Sequence, residues 1–125
     1  MSLIRARIED HIIDTEIFDG DSAANTAVDV DTPTPGADEH WLVYGVNAWY
    51  SDVTVAQPLT ITIDPGGTPR TLAIEGIQVD DNRTQWAPVQ PVLVAAGLVV
   101  RAGLPAAGVA ETGHIRLYAK KVIVK

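Results

Sequence analysis

The sequence predicts an all-β chain, an antiparallel β-sandwich or barrel, and three observations carry that reading. Apolar residues alternate with polar ones in seven or eight short runs, the period of strands with one buried face. Turn-forming residues such as Asp64-Pro65-Gly66-Gly67 separate the runs at intervals of about ten residues. No long amphipathic helical pattern interrupts them, which is the sequence signature of a sandwich or barrel.

The central stretch is Trp41–Ile63, WLVYGVNAWYSDVTVAQPLTITI. In strict alternation Trp41, Val43, Gly45, Asn47 and Trp49 share one face, while Leu42, Tyr44, Val46, Ala48 and Tyr50 share the other. Both faces are apolar enough to need cover, so this run is expected at the centre of a sheet. Leu59, Ile61 and Ile63 alternate with Thr60 and Thr62 in a half-buried strand.

Around this centre the chain divides into an acidic arm or edge segment, 1–25, and a β-sandwich domain, 26–125. In 3–18, LIRARIEDHIIDTEIF, Ile4, Ile8 and Ile12 keep helical spacing. Leu3, Ile13, Ile17 and Phe18 nevertheless scatter around a helical wheel, and the five isoleucines favour extended structure. An extended arm or edge strand is expected, with a helix as the alternative. FDGDSAAN (18–25) is a turn, TAVDVD (26–31) a short one-sided strand, and TPTPGADEH (32–40) a loop.

After Ile63 the expected strands are Thr71–Val79, a stretch within Trp86–Ala95, Leu98–Ala102 and the closing HIRLYAKKVIVK. DDNRTQ (80–85) and LPAAGVAETG (104–113) connect them as loops. Pro88 and Pro91 make the first half of Trp86–Ala95 an edge or an irregular lead-in, because proline cannot donate to a ladder.

Composition removes several function classes. A chain of 125 residues, 46% hydrophobic, fits one domain with its own core. It has no cysteine, so disulfides, thiolate zinc sites and cysteine nucleophiles are excluded. The net charge of −7 is uneven: residues 1–39 hold ten acids against Arg5 and Arg7, and the remainder is nearly balanced. Such a chain repels phosphate backbones, so no nucleic acid is expected as a partner. The acidic third either contacts a basic protein surface or is simply a solvated face. No apolar run approaches the roughly 18 residues that span a bilayer, and MSLIRARIEDH lacks a signal peptide's apolar core. A soluble protein made in the cytoplasm, with no membrane partner, is expected.

No catalytic constellation stands out, and neither an enzyme nor a cofactor is expected. His11, His40 and His114 have no partner at metal-ligand spacing. Ser22 and Ser51 lack the Gly-x-Ser-x-Gly context of a nucleophile elbow. Asp19-Gly20-Asp21-Ser22 and Asp80-Asp81-Asn82 offer oxygens suited to calcium, yet turn chemistry explains both. Glu75 is a lone strand glutamate where glycoside hydrolysis would need two carboxylates. Trp41, Tyr44, Trp49, Tyr50 and Trp86 are either core and interface residues or a platform for sugar rings. Trp86, placed after a polar run, is the best candidate for an exposed contact.

The order TAVDVD, HWLVYGVNAWYS, LTITID, Pro-Gly-Gly, APVQPVLVAAGLVVRAGLPAAG and HIRLYAKKVIV resembles small jelly-roll accessory proteins of tailed bacteriophage virions. These decorate heads or form fibre and tail-tip modules. The likeness covers about residues 26–125 and includes a Pro-Val-Leu-Val…Gly-Leu-Val-Val…Gly pattern before the last strand. It implies an eight-stranded jelly roll, a homotrimer, a major capsid protein or other virion protein as partner, and a place in the virion. The expected function is a self-associating module that decorates or stabilises a capsid. The alternative is a carbohydrate- or host-receptor-binding module of a tail fibre or tail tip. Ile4, Ile8, Ile12, Ile13, Ile17 and Phe18 are the expected docking residues, since a sandwich has no obvious place for them.

Overall fold

A computed structural model of the chain describes residues 12–52, 57–64, 66–77 and 82–123, with side chains from Glu16 onward. Among the described residues nine strands form: β1 (Ile12–Asp21), β2 (Val28–Asp31), β3 (Glu39–Tyr50), β4 (Pro58–Ile63), β5 (Arg70–Gly76), β6 (Arg83–Trp86), β7 (Val92–Val94), β8 (Val100–Leu104) and β9 (Gly113–Ile123). They build two antiparallel sheets. One has the order β1-β9-β3-β6, with β7 also on β3, and the other the order β2-β8-β4-β5.

These pairings nest. β4 pairs β5, β3 pairs β6 and β7, β2 pairs β8, and β1 pairs β9. The chain is one long hairpin rolled into a two-sheet sandwich, which is the topology of a jelly roll. β6 meets Val46–Trp49 and β7 meets Trp41–Val43, successive lengths of one edge of β3. Together they act as a single strand interrupted at Pro88 and Pro91, whose nitrogens carry no hydrogen for the ladder. The expected eight strands and the observed nine differ only by that break. DDNRTQ, expected as a loop, contributes Arg83–Gln85 to β6: its alternation is too short and too polar to be legible as a strand.

The core lies between the sheets. Val43, Val46, Ala48, Tyr50, Ile115, Leu117 and Ala119 face Val28, Val30, Leu59, Ile61, Val100, Ala102 and Leu104. Fully burying one such aliphatic side chain contributes about 1.5–3 kcal/mol. Thr32, the one buried polar side chain among the described residues, accepts from the Val100 backbone N–H at 3.0 Å. The partner lets a hydroxyl sit inside without an unmet bond.

Strict alternation fails within β3. Val43 pairs Ala119 and Gly45 pairs Tyr118, so two neighbours on β9 face residues two apart on β3 and Tyr44 is an extra residue. This is a β-bulge, and it resets which face points inward. Trp41 and Val43 face the core before it, and Val46, Ala48 and Tyr50 after it. The expectation that Trp41 and Trp49 share a face is therefore corrected: Trp41 is inside and Trp49 outside. Gly45 fits the bulge because a Cβ there would lie 3.0 Å from the Trp86 carbonyl oxygen.

Residues 12–21 belong to the sandwich as edge strand β1, paired with β9 from Ile12↔Val122 to Asp21↔His114. Gly20 lets β2 close over this edge, since a Cβ on it would fall 2.5 Å from Val30 Cγ2. No helix among the described residues is long and apolar enough to cross a membrane.

Candidate functional site

The bulge places a set of polar and aromatic side chains on the outer face of the larger sheet, where register aligns them in rungs. Asp21, His114, Trp49 and Arg83 form the first rung across β1, β9, β3 and β6. Asp19, Arg116, Asn47 and Gln85 form the second. In the third, Ile17 and Tyr118 meet Gly45, so β3 presents no side chain there.

Side-chain bonds hold the β1–β9 half of these rungs. His114 Nδ1 lies 2.5 Å from Asp21 Oδ1 and its Nε2 lies 3.0 Å from Thr112 Oγ1. The imidazole stacks on Trp49 with ring centroids 5.4 Å apart and planes 16° from parallel. Arg116 Nε donates to Asp19 Oδ1 at 2.8 Å, and that bond pushes the guanidinium above its ordinary range. Asn47 Nδ2 donates to the Tyr118 hydroxyl at 3.2 Å. Farther along, Lys120 Nζ sits 4.4 Å from the centre of the Tyr44 ring, a cation–π contact.

On the β3–β6 half the surface is open. Two depressions of about 440 and 470 Å³ adjoin there, sharing Asn47 and Gln85. Trp49, Arg83 and Thr84 line the first; Tyr44, Gly45, Tyr118 and Lys120 line the second. Arg83 borders the first and Lys120 the second.

The residues singled out in the sequence are dispersed. Ile4 and Ile8 lie outside the described residues, and Ile12 and Ile13 are described only as backbone in β1. Ile17 is 53% exposed on the outer face. Phe18 turns the other way and packs edge-on against Trp41, with centroids 5.4 Å apart. That contact gives its apolar ring a place within the sandwich. Trp86, expected as an exposed contact, is only 8% exposed and belongs to the core. It ends β6 opposite Val46, and that register turns it inward. Of the five aromatics weighed as a sugar platform, Trp41, Tyr50 and Trp86 are buried; Tyr44 and Trp49 remain on the surface.

Asp19, Asp21 and Ser22, weighed as calcium ligands, each bond to β9 through Arg116, His114 and the Gly113 N–H. Asp80 and Asp81 lie outside the described residues, and Asn82 donates to the Tyr50 carbonyl oxygen at 2.9 Å. Among the described residues no three His, Cys, Asp or Glu side chains gather as a metal site would require. Glu75 is half-buried at the sheet edge on β5, and His40 Nδ1 is buried without a hydrogen-bond partner among the described residues.

No family model matches the chain, and no curated protein matches it. Among solved structures it is similar to murine APRIL, in a crystal structure at pH 8.5. The two share 13% identity, the match covers 83% of this chain and 98% of that one, and the TM-score is 0.48. The jelly-roll topology rests on the strand pairings.

Proposed function

We propose that this chain is a structural module of a bacteriophage virion, which self-associates and decorates or stabilises the capsid by binding its surface. The observation that supports self-association is strand β5. Among the described residues it ends its sheet, so one row of its backbone groups has no partner strand there. It also exposes Ile74 at 64% and Leu72 at 40%. An apolar edge strand is a template for association that a monomer ordinarily blunts. Leu72 is the extra residue of a bulge against β4. A bulge twists an edge away from open-ended strand addition, which favours a closed assembly through the side chains. The resemblance of residues 26–125 to virion accessory proteins supports three copies and a place on the particle.

In this reading segment 1–20 docks on the major capsid protein or another virion protein, through Ile17 and the isoleucines before it. Its acidity suits a basic surface. Co-sedimentation with purified capsids tests this. Removing residues 1–11 leaves β1 whole, and that variant is expected to fold and to lose capsid binding. Particles that retain it as well as the full chain would contradict the docking role.

A further inference from the structure

We infer that the groove over Gly45, on the outer face of the larger sheet, is a binding site for one neutral pyranose ring. It lies on the sheet that does not contain β5, and it does not depend on the assembly proposed above. The shape left by the bulge, the rings beside it and the balance of donors and acceptors carry the inference.

The shape comes from one residue. At the bulge Gly45 stands opposite Tyr118, and β3 presents no side chain there. A Cβ on Gly45 would lie 3.0 Å from the Trp86 carbonyl oxygen, so the floor stays bare backbone. The groove above it measures about 470 Å³, with Tyr44, Asn47, Gln85, Tyr118 and Lys120 among its walls. That volume lies within the roughly 300–1,000 Å³ of small-molecule sites.

Two tyrosines border the floor. Lys120 Nζ sits 4.4 Å from the centre of the Tyr44 ring, which leaves the opposite ring face as the one Tyr44 can offer. The electron-rich face of an aromatic ring suits the C–H face of a pyranose. The hydroxyl-bearing edge of the sugar then needs polar partners.

Those partners set the chemical class. Asn47 spends one amide N–H on the Tyr118 hydroxyl at 3.2 Å. Among the described residues its carbonyl oxygen receives no hydrogen bond, and the Gln85 carboxamide makes none from its side chain. The Tyr118 hydroxyl, having accepted, keeps its own proton to donate. The groove thus holds two carboxamides and a phenol that need both donors and acceptors. A sugar hydroxyl is both at once, so vicinal hydroxyls answer a carboxamide on each side. A proline-rich peptide brings carbonyl acceptors and few N–H donors, and would leave both amide oxygens unmet. An apolar partner would strand every one of these groups. Recognition therefore runs through hydroxyls and a ring face, with no charged group required of the ligand.

Strict alternation hides the site, because it puts Tyr44 and Asn47 on opposite faces. The bulge brings both to the same groove.

The test uses the full chain and the methyl glycosides of glucose, galactose and mannose, with the open-chain polyol sorbitol as control. Saturation-transfer NMR reads contact, and titration of the chain's amide shifts reads affinity. At least one glycoside is expected to bind and sorbitol is not, since only the closed ring has a face to stack. Tyr44→Ala and Gln85→Ala are each expected to weaken binding by about tenfold, the worth of a contact left unmade. Gln85→Ala removes no side-chain hydrogen bond seen among the described residues, so it decides the matter if Tyr44→Ala fails to fold. No binding by any of the three glycosides, equal binding of sorbitol, or undiminished binding by folded Gln85→Ala would overturn the proposal.

Discussion

The Tyr50 hydroxyl donates to the Pro105 carbonyl oxygen at 2.7 Å, joining the end of β3 in one sheet to the segment that leaves β8 in the other. The ring is buried in the core, so a single side chain contributes both packing and a polar tie between sheets. Phe in its place keeps the packing and loses the tie. Tyr50→Phe is expected to destabilise by about 1 kcal/mol, the net worth of one such bond, measured as a lower urea midpoint at unchanged slope.

The same burial gives a pH dependence. Loss of solvent pushes the Tyr50 phenol above its ordinary 10.0, because the charged phenolate is disfavoured there. The folded state thus holds this proton more tightly than the unfolded chain does. The contribution is fully present below pH 10 and is lost as pH rises through the folded-state value. Urea midpoints of the parent are expected to fall across that alkaline window more steeply than those of Tyr50→Phe. Parallel curves would show that other groups set the alkaline limit.

Gly20 tests the closure of the sandwich edge. A Cβ there meets Val30, and Val30 is held in the core with nowhere to retreat. Gly20→Leu is expected to cost about 1–3 kcal/mol, the range for an overpacked interior, measured by thermal or urea unfolding. A melt unchanged from the parent would mean that β2 moves freely off β1.

Solvent access separates the tryptophans. Trp41 and Trp86 are buried, while Trp49 lies on the outer face. Acrylamide quenching is expected to fall sharply in Trp49→Phe and to change little in a variant that replaces Trp86, provided each folds. Strong quenching left in Trp49→Phe would contradict the facing set by the bulge.

Much of the fold is legible in the residues because burial leaves a period-2 trace. Leu59 and Ile61 against Thr60 and Thr62, and Ile115, Leu117 and Ala119 against their neighbours, read as one-sided strands and are so. The groove is not legible, for a physical reason. One extra residue at Tyr44 inverts the facing of everything after it, and nothing in the local composition announces a bulge except Gly45. Trp86 misleads for a related reason: the polar residues before it are the outer face and rim of β6, not a loop. Phe18 and Ile17 look alike in sequence, yet adjacent strand positions send one to Trp41 and the other to solvent.

The central claim, an assembling module and not a lone domain, turns on the β5 edge. Sedimentation velocity of the full chain and of Leu72→Glu/Ile74→Glu tests it most directly. The parent is expected to sediment as a closed trimer, three times the 13.3 kDa chain mass, and the double variant as a folded monomer. A parent that stays at 13.3 kDa at every concentration tried, or a double variant that assembles as the parent does, would contradict the account.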